Sequence, residues 1–141
     1  MHIRLSLACV LIALLATGIT QADTGMPPDS QSVARGKQLY NSHCIACHRE
    51  GGVGEPMVPW SIRRAGLIEA MPLNEASHAW HHGDEQLINM ILDGTSRSRI
   101  RMPVWRNTLT EKDAADLVAY MKSLWSARIL SCQGPKHMGC M

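Results

Sequence analysis

The stretch Cys44-Ile45-Ala46-Cys47-His48 decides how this chain folds. It reads C-x-x-C-H, the attachment signature of a c-type haem. Cysteines three apart on a helical turn point the same way. Two thiols on that face can reach the two vinyl groups on one edge of a porphyrin and form thioethers. His48 is then carried under the ring, where an imidazole nitrogen can bind iron. Two other uses of C-x-x-C compete. A thioredoxin-like redox pair follows a strand in a βαβ pattern, and the flanking sequence has none. A zinc site needs a second pair at similar spacing, and the chain offers none. The expected cofactor is one covalent haem c.

Upstream, Met1 to Arg4 carries a positive charge and Leu5 to Ala16 is an apolar run. Thr17 to Ala22 is small and polar. Residues 1–22 therefore read as a secretory signal peptide cleaved after Ala22. An uncleaved anchor is the alternative, but the run is short for a bilayer span. Cys9 lies in that run and leaves with it. Export to the periplasm suits a haem attached on the far side of the membrane.

Residues 23–29 form a polar, Pro-rich linker. Residues 30–127 are one domain, short for a large core. There is no Phe, so aliphatics, nine Met and four Trp do the packing. A porphyrin would be the largest apolar object inside. The chain has 14 basic and 12 acidic residues. Losing Arg4 with the leader and adding two haem propionates leaves a net charge of about −1, which does not suggest nucleic-acid binding.

Asp29 or Ser30 can cap a helix through Ser32 to Tyr40. Val33, Gly36, Leu39 and Tyr40 share one face. Gly36 costs about 1 kcal/mol relative to Ala inside a helix. A close helix crossing would explain it; tolerance on an exposed face is the alternative. After His48, Arg49 to Pro56 is a Gly-rich loop. A carbonyl near Pro56, with Pro59 competing, is expected to accept the other N–H of His48 and fix its tautomer.

Ser61 to Ala70 has weak helical periodicity, ended by Met71-Pro72. Ser77 to Gly83 is rich in histidine. His78 and His82 have metal-compatible spacing but no third ligand beside them, so surface or haem-edge packing is the expected role. Asp84 is expected to cap a helix over Glu85 to Leu92, closed by Asp93-Gly94. Thr110 and Asp113 form a capping-box pattern before the last helix. Its stripe is Ala114, Leu117, Val118, Met121, Leu124 and Trp125.

Met102 is the expected iron ligand opposite His48. A thioether stabilises reduced iron and raises the potential of the couple. Pro103 forces Met102 into an extended conformation, which suits a loop crossing a ring face. Met57 and Met71 compete. Met57 is close to His48 in sequence, and Met71 precedes the two middle elements rather than the last helix.

Together, Arg35 to Tyr40, the Cys44–His48 motif, the Gly-Pro loop, Met102-Pro103 and the Tyr120-bearing last helix resemble class I cytochrome c over roughly residues 30–127. The resemblance implies an all-α cytochrome c fold of short helices around one haem. It implies that the first and last helices cross near Gly36 and Tyr120. It implies His48 and Met102 as axial ligands. Glu55 departs from the pattern, because it separates Gly54 from Pro56.

The tail, residues 128–141, exceeds what that family needs. Cys132 and Cys140 are an expected disulfide pair in an oxidising compartment. Two thiols, His137 and the Met residues could instead hold Cu(I). The reading is an exported monohaem electron carrier between periplasmic or membrane redox proteins, not itself an enzyme. Contact with a membrane would come only through a membrane-bound partner. One alternative is a labile sixth ligand, with small-molecule binding or peroxide chemistry. Another is copper handling by the tail. Arg97, Arg99, Arg101 and Arg106 crowd around Met102 and are the expected docking cluster.

Overall fold

A computed structural model describes residues 27–62, 69–95 and 102–141. Among them are five α-helices and no strand. The fold is all-α. Helix α1 is Ser30–His43, α2 Ile45–His48, α3 Asp84–Asp93, α4 Glu111–Ser123 and α5 Ala127–Ser131. Short 3-10 turns occupy Glu50–Gly52, Trp60–Ile62, Ala79–His81 and Gly134–Cys140.

The main packing contact joins α1 to α4. Asp29 caps α1, its carboxylate accepting from the Gln31 and Ser32 amides. Gly36 sits at the crossing. A Cβ there would fall on the Asp116 carbonyl and lie 2.9 Å from the Tyr120 Cβ. The two backbones approach closely because Gly36 has no side chain. Beside it, the Tyr40 and Tyr120 rings pack with centroids 4.9 Å apart. The Arg35 guanidinium and the Lys112 ammonium both bond the buried Asp116 carboxylate, at 2.8 and 3.0 Å.

Helix α4 carries the core. Thr110 and Asp113 close a reciprocal capping box at its start. Ala114, Leu117, Val118, Met121 and Trp125 are buried, together with Leu87, Ile91 and Leu92 of α3. The core continues past the last long helix through Ile129, Leu130 and Cys132. The tail folds into the short helix α5 and a 3-10 turn. Ser126 caps α5.

Two local expectations are corrected. Asp84 does not cap α3; Gly83 occupies that position without a side-chain bond. The Asp84 carboxylate instead accepts from the buried Lys122 ammonium at 2.8 Å and from the Gln133 amide at 2.6 Å. A buried cation needs a partner more than an exposed helix end needs a cap. The expected helix over Ser61 to Ala70 is also absent at its described ends, while residues 63–68 lie outside the described residues. Ser61 and Ile62 belong to a 3-10 turn, and Ala70 lies outside any helix and is paired with Glu55. The signal-peptide reading of residues 1–22 lies outside the described residues too.

Candidate cofactor site

Cys44 follows α1, and Cys47 and His48 end α2. The single turn is closed by the His48 N–H donating to the Cys44 carbonyl at 2.9 Å. Neither cysteine is bridged. Both sulfurs are therefore available from one helical turn. Burial, and then the neighbouring Cys47, push the Cys44 thiol up to about 11.

Beyond His48 the chain reverses sharply. Arg49 has φ 59°, an uncommon value for a side-chain-bearing residue. The Tyr40 hydroxyl donates to the Arg49 carbonyl and holds that turn against α1. Gly54 has φ +74° and donates its N–H back to the His48 carbonyl at 2.9 Å.

The His48 Nδ1 lies 3.0 Å from the Met71 carbonyl. This corrects the expectation that the acceptor would come from around Pro56 or Pro59. The reason lies in Glu55, the residue that breaks the Gly-Pro pattern. Its N–H donates to the Ala70 carbonyl at 2.9 Å, and its carboxylate accepts the Ala70 N–H at 2.9 Å. The loop through Glu55 is thereby zipped to residues 70–73, which bring the carbonyl. Leu73 continues the zip by donating to Gly52 at 2.7 Å, and the Trp125 indole N–H donates to the Leu73 carbonyl at 2.8 Å. Trp125, just past the end of α4, thus steadies the wall on which His48 is oriented. Burial pushes the His48 imidazole below its ordinary range, against the pull of the Met71 carbonyl and Glu55. A neutral ring with Nδ1–H donated keeps Nε2 as a free donor to a metal.

Met71 therefore serves the site through its backbone. Met57 is exposed. Met102 is half-buried against the core. Its segment is pinned to the end of α3, where the Leu92 carbonyl accepts the N–H groups of Trp105 and Arg106 at 3.0 and 2.9 Å.

Among the described residues, two buried side-chain donors have no hydrogen-bond partner: the Trp80 indole N–H and the Thr95 hydroxyl. Such donors ordinarily find acceptors. Carboxylates such as haem propionates are acceptors of the kind that these two donors lack. Sequence reading missed both, because neither belongs to the attachment motif and only burial marks them.

Cys132 and Cys140 are joined in a disulfide, which leaves no free thiol in the tail. The loop rests on the histidine-rich turn. The His137 ring stacks on His81 with centroids 4.4 Å apart, and Gln133 donates to the His82 carbonyl at 3.2 Å. His78 lies about as far from His81 as from His82, at 6.0 and 5.9 Å between centroids. No group of three His, Cys, Asp or Glu among the described residues is arranged for a metal ion. Of the arginine cluster, Arg97, Arg99 and Arg101 lie outside the described residues. Arg106 pairs with Asp93 at 2.6 Å.

No helix among the described residues is long and apolar enough to cross a membrane. A family model described as "Cytochrome C oxidase, cbb3-type, subunit III" matches residues 31–121. The chain is 29% identical over 104 residues to a "Cbb3-type cytochrome c oxidase subunit CcoP" of Azospirillum sp. (strain B510), covering 71% of this chain and 31% of that protein. It is 25% identical over 126 residues to a subunit of the nicotinate dehydrogenase of Pseudomonas putida KT2440, covering 86% of this chain and 9% of that protein. The chain thus spans less than a third of the length of these curated relatives. No solved structure matches.

Proposed function

Starting from a chain that belongs to the cbb3-type cytochrome c oxidase subunit III family of class I cytochromes c, we propose that it is an exported one-electron carrier holding a single covalent haem c. The observation that carries this reading is the His48–Met71 hydrogen bond at 3.0 Å beside two unbridged cysteines. It orients an imidazole as a metal ligand one residue after two available thiols.

Cys44 and Cys47 are the thioether positions. His48 and Met102 would hold the iron, one through an imidazole nitrogen and one through a soft sulfur. Trp80 and Thr95, buried donors without a partner, would be available to the propionates. When bound, the haem iron supplies the one-electron couple. The chain's part would be to hold the iron through His48 and Met102, on segments kept fixed by a core in which Leu87, Ile91 and Leu117 are buried. With both ligands supplied by the chain, one-electron transfer would need no bond making, which is the work of a carrier.

The relatives named above are subunits of an oxidase and a dehydrogenase, which supports a redox protein as the partner. The donor and acceptor would be proteins of the periplasm or of a membrane complex there. The pairing of Cys132 with Cys140 supports the carrier reading over copper handling, which would need both thiols free.

The test is an optical spectrum of the purified holoprotein with denaturing extraction. Haem that stays on the wild-type chain and is lost from the Cys44→Ala, Cys47→Ala double variant supports the reading. Haem extracted by acid acetone from the wild type overturns covalent attachment. A Met102→Ala variant should keep covalent haem, lower the potential and bind carbon monoxide in the reduced state.

A further inference from the structure

We propose that Trp105 is a positioning residue that holds the Met102 segment in place for iron ligation, acting through His43. The inference rests on the reading of Met102 as the sixth ligand.

The segment from Met102 to Trp105 belongs to no helix and has two sides to answer to. On one side stands the end of α3. Leu92 accepts the Trp105 and Arg106 amides. Gly94, at φ +68°, brings the backbone so near that a Cβ there would lie 2.5 Å from the Met102 carbonyl. These contacts tie the segment to α3 and stop there. The element that carries the cysteines is α1 with α2.

Trp105 reaches it. Its ring meets the His43 ring edge-on, with centroids 5.1 Å apart and planes 65° apart. His43 is the last residue of α1 and is joined directly to Cys44. The Trp105 backbone is itself fixed, because its carbonyl accepts the Thr108 and Leu109 amides, each at 2.8 Å. The indole therefore cannot follow a swinging loop without breaking that turn. Pro103 and Val104, between ligand and anchor, have exposed side chains.

The consequence is chemical. A thioether is a weak ligand, above all to ferric iron. A segment free to swing leaves the sixth position open for part of the time. The apparent affinity for an added ligand scales with the fraction of molecules in the open state. Trp105 on His43 keeps that fraction small.

The experiment compares ferric holoprotein of the wild type, Trp105→Leu, Trp105→Phe, His43→Leu and Met102→Ala. Imidazole affinity, the Met–iron charge-transfer band and the midpoint potential are measured. Covalent haem content and helical circular dichroism report folding. Trp105→Leu and His43→Leu are expected to bind imidazole about tenfold tighter, with a weakened band and a lower potential. Trp105→Phe keeps an aromatic edge against His43 and should stay near wild type. Should Trp105→Leu fail to fold, His43→Leu decides alone, since His43 is half-buried at a helix end. Folded variants with wild-type imidazole affinity and an intact band overturn the proposal. If Met102→Ala abolishes the band while these variants leave it intact, the positioning role fails and the ligand reading stands. If Met102→Ala leaves the band intact, the ligand reading fails and takes the positioning role with it.

Discussion

The ring of His48 is oriented by the backbone of Met71, 23 residues further along the chain, through a 3.0 Å contact. An accepting carbonyl makes the imidazole a stronger donor to iron and favours the oxidised metal. The tuning element therefore lies in the loop around Met71, and Gly54 sets how close that loop comes.

Gly54→Ala tests this. The residue has φ +74°, and an added Cβ would lie 2.5 Å from the Ala70 carbonyl and 2.7 Å from the Pro72 nitrogen. Both neighbours are backbone, so the loop must move away. The variant should lose about 1–3 kcal/mol of stability. Its midpoint potential should rise, because a weakened His48–Met71 bond leaves a poorer donor. Voltammetry on protein with full covalent haem checks the sign. A fall in stability with no change in potential would show that the Met71 carbonyl is structural only.

The crossing of α1 and α4 makes an acid-sensitive joint. Burial pushes the Asp116 carboxyl up, and hydrogen bonds from Arg35, Lys112 and Ser32 outweigh it, holding the group at about 2. A folded-state value below the ordinary 3.8 means that the stabilisation is complete above that value. It is lost as pH falls from there toward 2. Asp116→Asn should cost about 2 kcal/mol near neutral pH, and the gap to wild type should close in acid. Denaturant midpoints measured across that range decide it. A gap that persists at the acid end would assign the effect to packing.

The elements that were legible in the sequence share a reason. The C-x-x-C-H stretch, Gly36, and the Thr110–Asp113 box act through neighbours one turn away or through a cost visible in a single residue. Gly36 announced a crossing because the cost of a glycine inside a helix has to be offset somewhere. The His48 acceptor was not legible, because it depends on Glu55 pairing with Ala70 across a loop. Asp84 misled for a similar reason. Its cap position was plain, while its partners Lys122 and Gln133 come from distant elements. In the tail, the docking of Ile129 and Leu130 was not legible, because it depends on core residues of earlier elements.

The tail gives a redox and pH prediction together. Closing a loop with a sequence separation of 8 restricts the unfolded chain by about 2.5 kcal/mol on the chain-entropy model. Cys132→Ser with Cys140→Ser should lower stability by about that amount and expose the tail to proteases. Mass spectrometry of non-reduced exported protein should show no free thiol in the tail. Burial, then the nearby His137, His78 and His82, hold the His81 imidazole below its ordinary 6.5. A lowered folded-state value on a base favours the neutral form, so docking of the tail is strongest above 6.5 and weakens as pH falls. Tail proteolysis that does not rise in mild acid would remove the His81–His137 stack as a hold.

The arginines around Met102 give the last prediction. Arg106 forms two hydrogen bonds to the Asp93 carboxylate, at 2.6 and 2.9 Å. Its charge is largely offset locally, so the steering proposal rests on Arg97, Arg99 and Arg101. These immediately precede the proposed ligand, on a chain whose net charge is near zero. A local positive cluster on such a chain speeds encounter with an acidic redox partner more than it tightens the complex. Arg97→Glu with Arg99→Glu should slow reduction by that partner about tenfold at low salt. The difference should shrink as salt is added, because exposed charges are screened. Arg106→Gln should change the rate less and the stability more, since it frees the Asp93 carboxylate at the end of α3. Stopped-flow rates against ionic strength, with unchanged haem spectra, separate the two effects. Equal rates for the double variant and the wild type at low salt would place the docking face elsewhere on the molecule.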